Sequence, residues 1–140
     1  MSVKRGDPEH QIQVAFVARC NMQLQKYPAL RLAYAVPNGG LRHKATAGKL
    51  KAEGVRPAVP DWKLPVPNLD YTGLAIEFKA PGKYPPPEQR QYHELLRACF
   101  WRVEVSRDPE HAWGIVEDYM SRMDTECLGN IIRVLGEGRS

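Results

Sequence analysis

Residues 59 to 80 read VPDWKLPVPNLDYTGLAIEFKA, and the last eight of them decide how the chain is built. Side chains on a strand alternate faces with a period of two, so Leu74, Ile76, Phe78 and Ala80 share one face while Ala75, Glu77 and Lys79 share the other. An apolar face turned to a core and a face carrying both an acid and a base is what a strand needs if it serves a core and a polar site together. Asp61, after Pro60, opens the preceding strand, read as Val59 to Pro65 and kept short or at an edge by Pro65 and Pro67. If the two strands pair as neighbours, Asp61 meets Glu77 across the ladder, where opposed side chains lie about 5 Å apart. Two carboxylates that close repel unless a cation lies between them. Hard oxygen ligands of this kind, completed by the Phe78 backbone carbonyl and waters, suit Mg²⁺ or Mn²⁺ better than Zn²⁺. Lys79 would then sit at the rim, placed to orient a water or help remove its proton. That is the outline of a phosphodiester hydrolysis site, although a lone Glu-x-Lys on a strand is more often a solvent-facing pair.

Outward from this hairpin the chain reads as an α/β domain. Asp7-Pro8-Glu9 has the grammar of a helix start, with a stripe through Ile12, Phe16, Cys20 and Leu24 to about Lys26 and a stop at Pro28. Leu30, Leu32, Tyr34 and Val36 alternate as a strand closed by PNGG. Residues 41 to 53 read as a short basic helix stopped by Gly54. A turn containing Asn68 and Asp70 joins the two central strands. After PGKYPPP comes a helix from about Glu88 to Cys99, expected to bury Tyr92, Leu95, Leu96 and Cys99, then a strand through Trp101, Val103 and Val105. Asp108-Pro109-Glu110 opens another helix, with Val116, Tyr119, Met120 and Met123 inward, and Leu128, Ile131, Ile132 and Leu135 suggest one more. The plan is a four-strand mixed sheet flanked by helices, in a single domain over 1–140.

Composition narrows the class further. The 140 residues carry a formal charge of +4 at 43% apolar content, which fits one globular domain with a mild basic excess. The three cysteines, Cys20, Cys99 and Cys127, have no CxxC spacing and lie in helical patterns, so buried free thiols are expected rather than disulfides or a zinc site. No apolar run approaches signal-peptide or membrane-span length, so a cytoplasmic protein with no membrane partner is expected. The cations do cluster: Arg42, His43, Lys44, Lys49, Lys51 and Arg56 are opposed only by Glu53. Such a run is usually a solvated face, but ahead of a phosphodiester site a DNA-binding arm is the better reading.

The spacing PD, then ExK sixteen residues on, then a helix opening EQRQYHELL, resembles the PD-(D/E)XK nuclease superfamily, whose restriction-endonuclease-like core runs α-β-β-β-α-β. More narrowly, PEHQIQ, VPNGG, LKAEGVRPAVPD, GLAIEFKAPG and PPEQRQYHELL, in that order, resemble the virus-type replication-repair nuclease (VRR-NUC) domain over about residues 8–122, leaving 124–137 as a helical extension. The resemblance implies Asp61 and Glu77 as metal-binding carboxylates, Lys79 as the catalytic lysine, and Glu9 and Gln89 as further site residues, Glu9 also near the metal. Glu9 and Gln13 share a helix face whatever the family. The family usually has Gly where this chain has Ala58, so a positive φ there would strain Ala58. The function implied is a Mg²⁺- or Mn²⁺-dependent endonuclease, bacterial or phage-encoded, acting as a homodimer on branched DNA such as four-way (Holliday) junctions. The alternatives are a nicking or restriction-like nuclease on ordinary duplex, and a non-catalytic DNA-binding module. Intact Asp61, Glu77 and Lys79 weigh against the last. His10, His43, His93 and His111 show no metal spacing, and only His93, one turn after Gln89, is placed to join the site.

Overall fold

The computed structural model describes residues 7–37 and 44–138, with the backbone alone described for 44–47. In chain order the elements are α1 (Pro8–Asn21), a 3-10 turn (Pro28–Leu32), β1 (Tyr34–Ala35), α2 (Lys44–Ala52), β2 (Trp62–Leu64), β3 (Gly73–Phe78), α3 (Pro87–Ala98), β4 (Trp101–Ser106), α4 (Pro109–Met120) and α5 (Thr125–Glu137). The four strands form one sheet in the order β1-β2-β3-β4, antiparallel at the first two pairings and parallel at the third. Helix α3 is the crossover that makes β3 and β4 parallel.

Three helices start on aspartates, α1 and α4 where Asp-Pro-Glu marks the start, and α5 on Asp124. Asp7 accepts from Glu9 N–H at 3.0 Å, Asp108 from Glu110 N–H at 2.7 Å, and Asp124 from Cys127 N–H at 2.9 Å. Each such cap contributes about 1 kcal/mol and fixes where its helix begins. One side of the sheet packs on α1 and α4. Leu74, Ile76 and Phe78 of β3 and Trp62 and Leu64 of β2 point there, and Phe16 meets Trp62 edge-on with ring centroids 4.9 Å apart. Tyr119 closes the far end, fully buried, its hydroxyl donating to the Val66 carbonyl at 2.6 Å. The turn between β2 and β3 is built by Asn68, whose Oδ1 accepts from the N–H groups of Asp70 and Tyr71 at 2.9 and 2.7 Å. No helix among the described residues is long and apolar enough to cross a membrane.

Several expectations need correction. The strand expected from Leu30 to Val36 is a 3-10 turn that buries Ala29 and Leu30, and only Tyr34–Ala35 pair with β2. Pro28 fixes its φ at the first position of that turn, and Leu32, half exposed, shows that the alternation did not mark a two-faced strand. Helix α1 ends at Asn21, five residues short of Lys26. On α3 the expected apolar stripe holds only in part: Tyr92 and Leu96 are half-buried. His93 is the only fully buried residue of the helix, while Leu95 is 61% exposed and Cys99 is exposed too. The three thiols are free, but only Cys20 is buried, which pushes its pKa up to about 12. Ala58 does adopt a positive φ, +69°, where its Cβ crowds the following carbonyl at a cost of about 1 kcal/mol.

Candidate active site

The register of β2 on β3 sets Trp62 opposite Ile76, Lys63 opposite Ala75 and Leu64 opposite Leu74. One step further the ladder brings Asp61 to Glu77, on the face away from the apolar core. Asp61 is fixed there by its own side chain, since Oδ2 accepts from the Phe78 N–H at 2.8 Å. Glu77 is 2% exposed. Lys79, two residues on, brings Nζ to 3.8 Å from Glu77 Oε1. From the N-terminal helix, Glu9 reaches over the end of β3, where its Oε1 accepts from Ala80 N–H at 3.2 Å. The strand that carries one acid therefore anchors the other two through its backbone.

Helix α3 covers this group from the other side. Gln89 and His93 are i, i+4 neighbours on one face, and His93 Nε2 lies 3.9 Å from Glu77 Oε2, beyond hydrogen-bond reach. The sheet under this part of α3 carries small and polar residues, Ala75 and Glu77 among them. A polar helix face thus turns inward and Leu95 turns out. Glu77 Oε2, Gln89 Oε1 and His93 Nε2 are all buried without a hydrogen-bond partner. An unsatisfied buried polar atom costs about 1–3 kcal/mol, so the fold gives up stability at this one place.

The electrostatics point the same way. Burial first, then the neighbouring Asp61 carboxylate, with Glu9 contributing less, pushes the Glu77 carboxyl up to about 9 against the pull of Lys79. His93 is pushed below its ordinary value by burial, then by Arg97 and Lys79. Lys63, on the same face of the sheet, lies over the Tyr92 ring at 5.6 Å from its centroid, and burial lowers its pKa. Lys63 was legible as a neighbour of the site, because it is two residues from Asp61 and so on its face.

A divalent cation fits these residues. The acid pair is crowded, Glu77 Oε2 is buried without a partner, and carboxylate oxygens are the donors that Mg²⁺ and Mn²⁺ prefer. Among the described residues no three His, Cys, Asp or Glu side chains close into a complete metal cage. Mg²⁺ keeps several waters and needs only one or two carboxylates, so the pair suffices.

An open groove of about 670 Å³ runs from Glu9 and Asp61 along α1, past Gln13 and Val14, to β1. Lys49 and Lys51 on α2, and Arg56 just beyond it, are exposed and make no ion pair among the described residues. Arg42 and His43 lie outside the described residues, as does the side chain of Lys44.

No protein-family model matches the chain, and no curated protein does. Among solved structures, one named "VRR_NUC domain protein" is similar over 86% of this chain and 93% of its own, with a TM-score of 0.68 at 22% sequence identity. At that identity the likeness speaks for architecture alone. The chain has the restriction-endonuclease-like α/β fold of a VRR-NUC domain.

Proposed function

We propose that this protein is a divalent-metal-dependent endonuclease that hydrolyses phosphodiesters in DNA, with branched DNA such as four-way junctions as its preferred substrate. The observation that carries this reading is Asp61 beside the buried Glu77, with Lys79 Nζ 3.8 Å from Glu77, on a fold shared with a VRR-NUC domain. In the reaction a water oxygen bonds to phosphorus, one P–O ester bond breaks, and the departing oxygen takes up a proton. Asp61 and Glu77 would hold Mg²⁺ or Mn²⁺, with the Phe78 carbonyl and Glu9 as further oxygen donors, and the ion would supply charge neutralisation at the phosphate and acidify a water. Lys79 keeps a cation at the rim, where it can steady the phosphate oxygens and steer the attacking water. Glu9, through Ala80, holds the end of β3 in place, and Gln89 offers an amide beside it. His93 backs Glu77 and keeps water from its inner side.

Two cuts related by a two-fold axis would need two copies of this site, and a C2 homodimer provides them. Helix α5 offers a surface for it. It buries none of its residues fully, and Leu128, Ile132 and Leu135 line an open groove of about 490 Å³ with Leu24 and Pro28. The test is cleavage of junction, flap, single-stranded and linear duplex DNA with Mg²⁺ or Mn²⁺, with light scattering on the same samples. Preferential paired cuts in the junction by a dimer are expected. Equal nicking of linear duplex by a monomer would replace the junction reading with a nicking nuclease, and binding without cleavage under either metal would leave a DNA-binding module.

Lys49 and Lys51 supply a prediction of their own. If both contact phosphates, replacing both with Ala weakens binding whatever the sequence and flattens the slope of log affinity against log salt by roughly 2. An unchanged slope in a salt titration would return α2 to a plain solvated surface.

A further inference from the structure

The loop leaving the C-terminal end of β3 is pinned from both sides. Ala80 donates its N–H to Glu9, and the Lys83 N–H closes a turn on the Ala80 carbonyl at 3.0 Å. Gly82 sits in that turn at φ +79° with open space where a Cβ would lie, so glycine is required there for its backbone angle and not for room. Arg107, the residue after β4, reaches across: Nε and Nη2 both donate to the Lys83 carbonyl, at 3.1 and 2.7 Å. Its guanidinium lies 4.8 Å from the centroid of the Tyr84 ring. Beyond Tyr84, Pro85, Pro86 and Pro87 fix φ at three successive positions, the last of them the first residue of α3.

So tightly placed a ring would ordinarily be packed, yet Tyr84 is 74% exposed. One face has the guanidinium; the rest meets water. Leaving apolar ring surface in water forgoes about 25 cal/mol per Å² of burial, so the arrangement does not serve the fold. Apart from Glu9 at the foot of the loop, on Ala80, the charge the loop itself carries has one sign. No acid occurs between Glu77 and Glu88, while Lys79, Lys83 and Arg107 stand along or against the loop. Fixed cations beside a fixed, open aromatic plane match the two surfaces of an unpaired nucleotide, its phosphate and its base.

We infer that Tyr84, backed by Arg107, is a stacking platform for one unpaired nucleobase of the substrate strand, five residues along the chain from Lys79. This rests on the nuclease reading and sharpens it. In continuous duplex every base is already stacked, so the platform engages only where a strand is single or a junction opens. It therefore separates branched or single-strand-bearing DNA from plain duplex without reading sequence.

Anisotropy binding with Ca²⁺ in place of Mg²⁺, on labelled flap DNA and on continuous duplex, tests the platform. Tyr84→Ala is expected to weaken flap binding by about 5- to 100-fold, the range of base–aromatic stacking, and duplex binding by less than about twofold. Tyr84→Phe, which keeps the ring, should bind the flap as the parent does. A single abasic nucleotide walked along the single-stranded arm should reproduce the loss at one position, and Tyr84→Ala should add nothing there. Flap binding by Tyr84→Ala equal to the parent, a loss in Tyr84→Phe as large as in Tyr84→Ala, or an equal loss on duplex overturns the platform. A parent protein that neither binds nor cleaves any of the DNAs ends the nuclease reading itself, which a parent that cleaves while Tyr84→Ala is silent does not.

Discussion

Asp61→Asn and Glu77→Gln are each expected to lose DNA cleavage by about 10²- to 10⁴-fold and to lose divalent-ion binding with it, whereas Lys79→Ala loses cleavage over a similar range and still binds the ion. The split follows from what each side chain can offer. A carboxylate reduced to an amide keeps its shape and one oxygen but gives up the charge that draws a hard cation. The Lys79 ammonium has no lone pair to give, so its removal leaves the donor set intact. Its loss also removes the cation that, among the described residues, opposes the crowding of Glu77 by burial, Asp61 and Glu9, and metal affinity in Lys79→Ala should therefore hold or rise slightly. Calorimetric titration with Mn²⁺ alongside single-turnover cleavage of one DNA separates the two roles. Cleavage by Lys79→Ala at the parental rate would remove Lys79 from the site, and full metal binding by Glu77→Gln would move the metal elsewhere.

The parts of this site that were legible in the sequence are those governed by short-range periodicity. A period of two placed Asp61, Glu77 and Lys79 on one face once β2 and β3 were neighbours, and the observed register bears this out. Asp-Pro-Glu marked the starts of α1 and α4 because a capping side chain acts within three residues of itself. What was not legible depended on the surface each element would meet. Helix α3 reads as amphipathic with its leucines inward, but Glu77 lies beneath it, so Gln89 and His93 turn in and Leu95 turns out. Residues 30–36 alternate like a strand, yet Pro28 sets a tight turn, and tertiary packing of Ala29 and Leu30 prevails over the pattern. The positive φ of Ala58 was foreseen only as a condition. It is met here by a residue with a Cβ, immediately before the buried Val59 and Pro60 that lead into Asp61.

Without divalent ions, the protein is expected to become less stable as pH rises from 7 to 9, and Glu77→Gln is expected to abolish most of that loss. In the fold the Glu77 carboxyl titrates near 9 instead of its ordinary 4.5. Between those values the native state keeps a proton that the unfolded chain has released, so the native state binds more protons and stability falls with rising pH. This contribution is complete below about 4.5 and is lost on the way to 9. His93 has the opposite sign: its pKa is lowered in the fold, so its contribution is lost as pH falls below 6.5, and it is neutral in both states above pH 7. Cys20, raised to about 12, begins to matter only near its ordinary 9. From 7 upward Glu77 therefore carries most of the loss, at most about 1.4 kcal/mol per pH unit for one group, and only towards 9 does Cys20 add a smaller loss of the same sign. A total on the order of 2 kcal/mol corresponds to a Tm lower by several degrees at pH 9, at about 2–4 °C per kcal/mol. Gln at 77 has nothing to ionise, so its Tm should stay nearly flat over the interval and exceed the parent's at pH 9, even though it cuts no DNA. Adding Mg²⁺ should restore the parent, by about 2.7 kcal/mol when the ion is a hundredfold above its dissociation constant, and leave Glu77→Gln unmoved. Thermal unfolding of both proteins at pH 7, 8 and 9, in EDTA and in Mg²⁺, measures all of this. Parallel curves for the two proteins in EDTA would mean that Glu77 is not held protonated by the fold. A Mg²⁺ effect of equal size in both would mean that the ion binds without it.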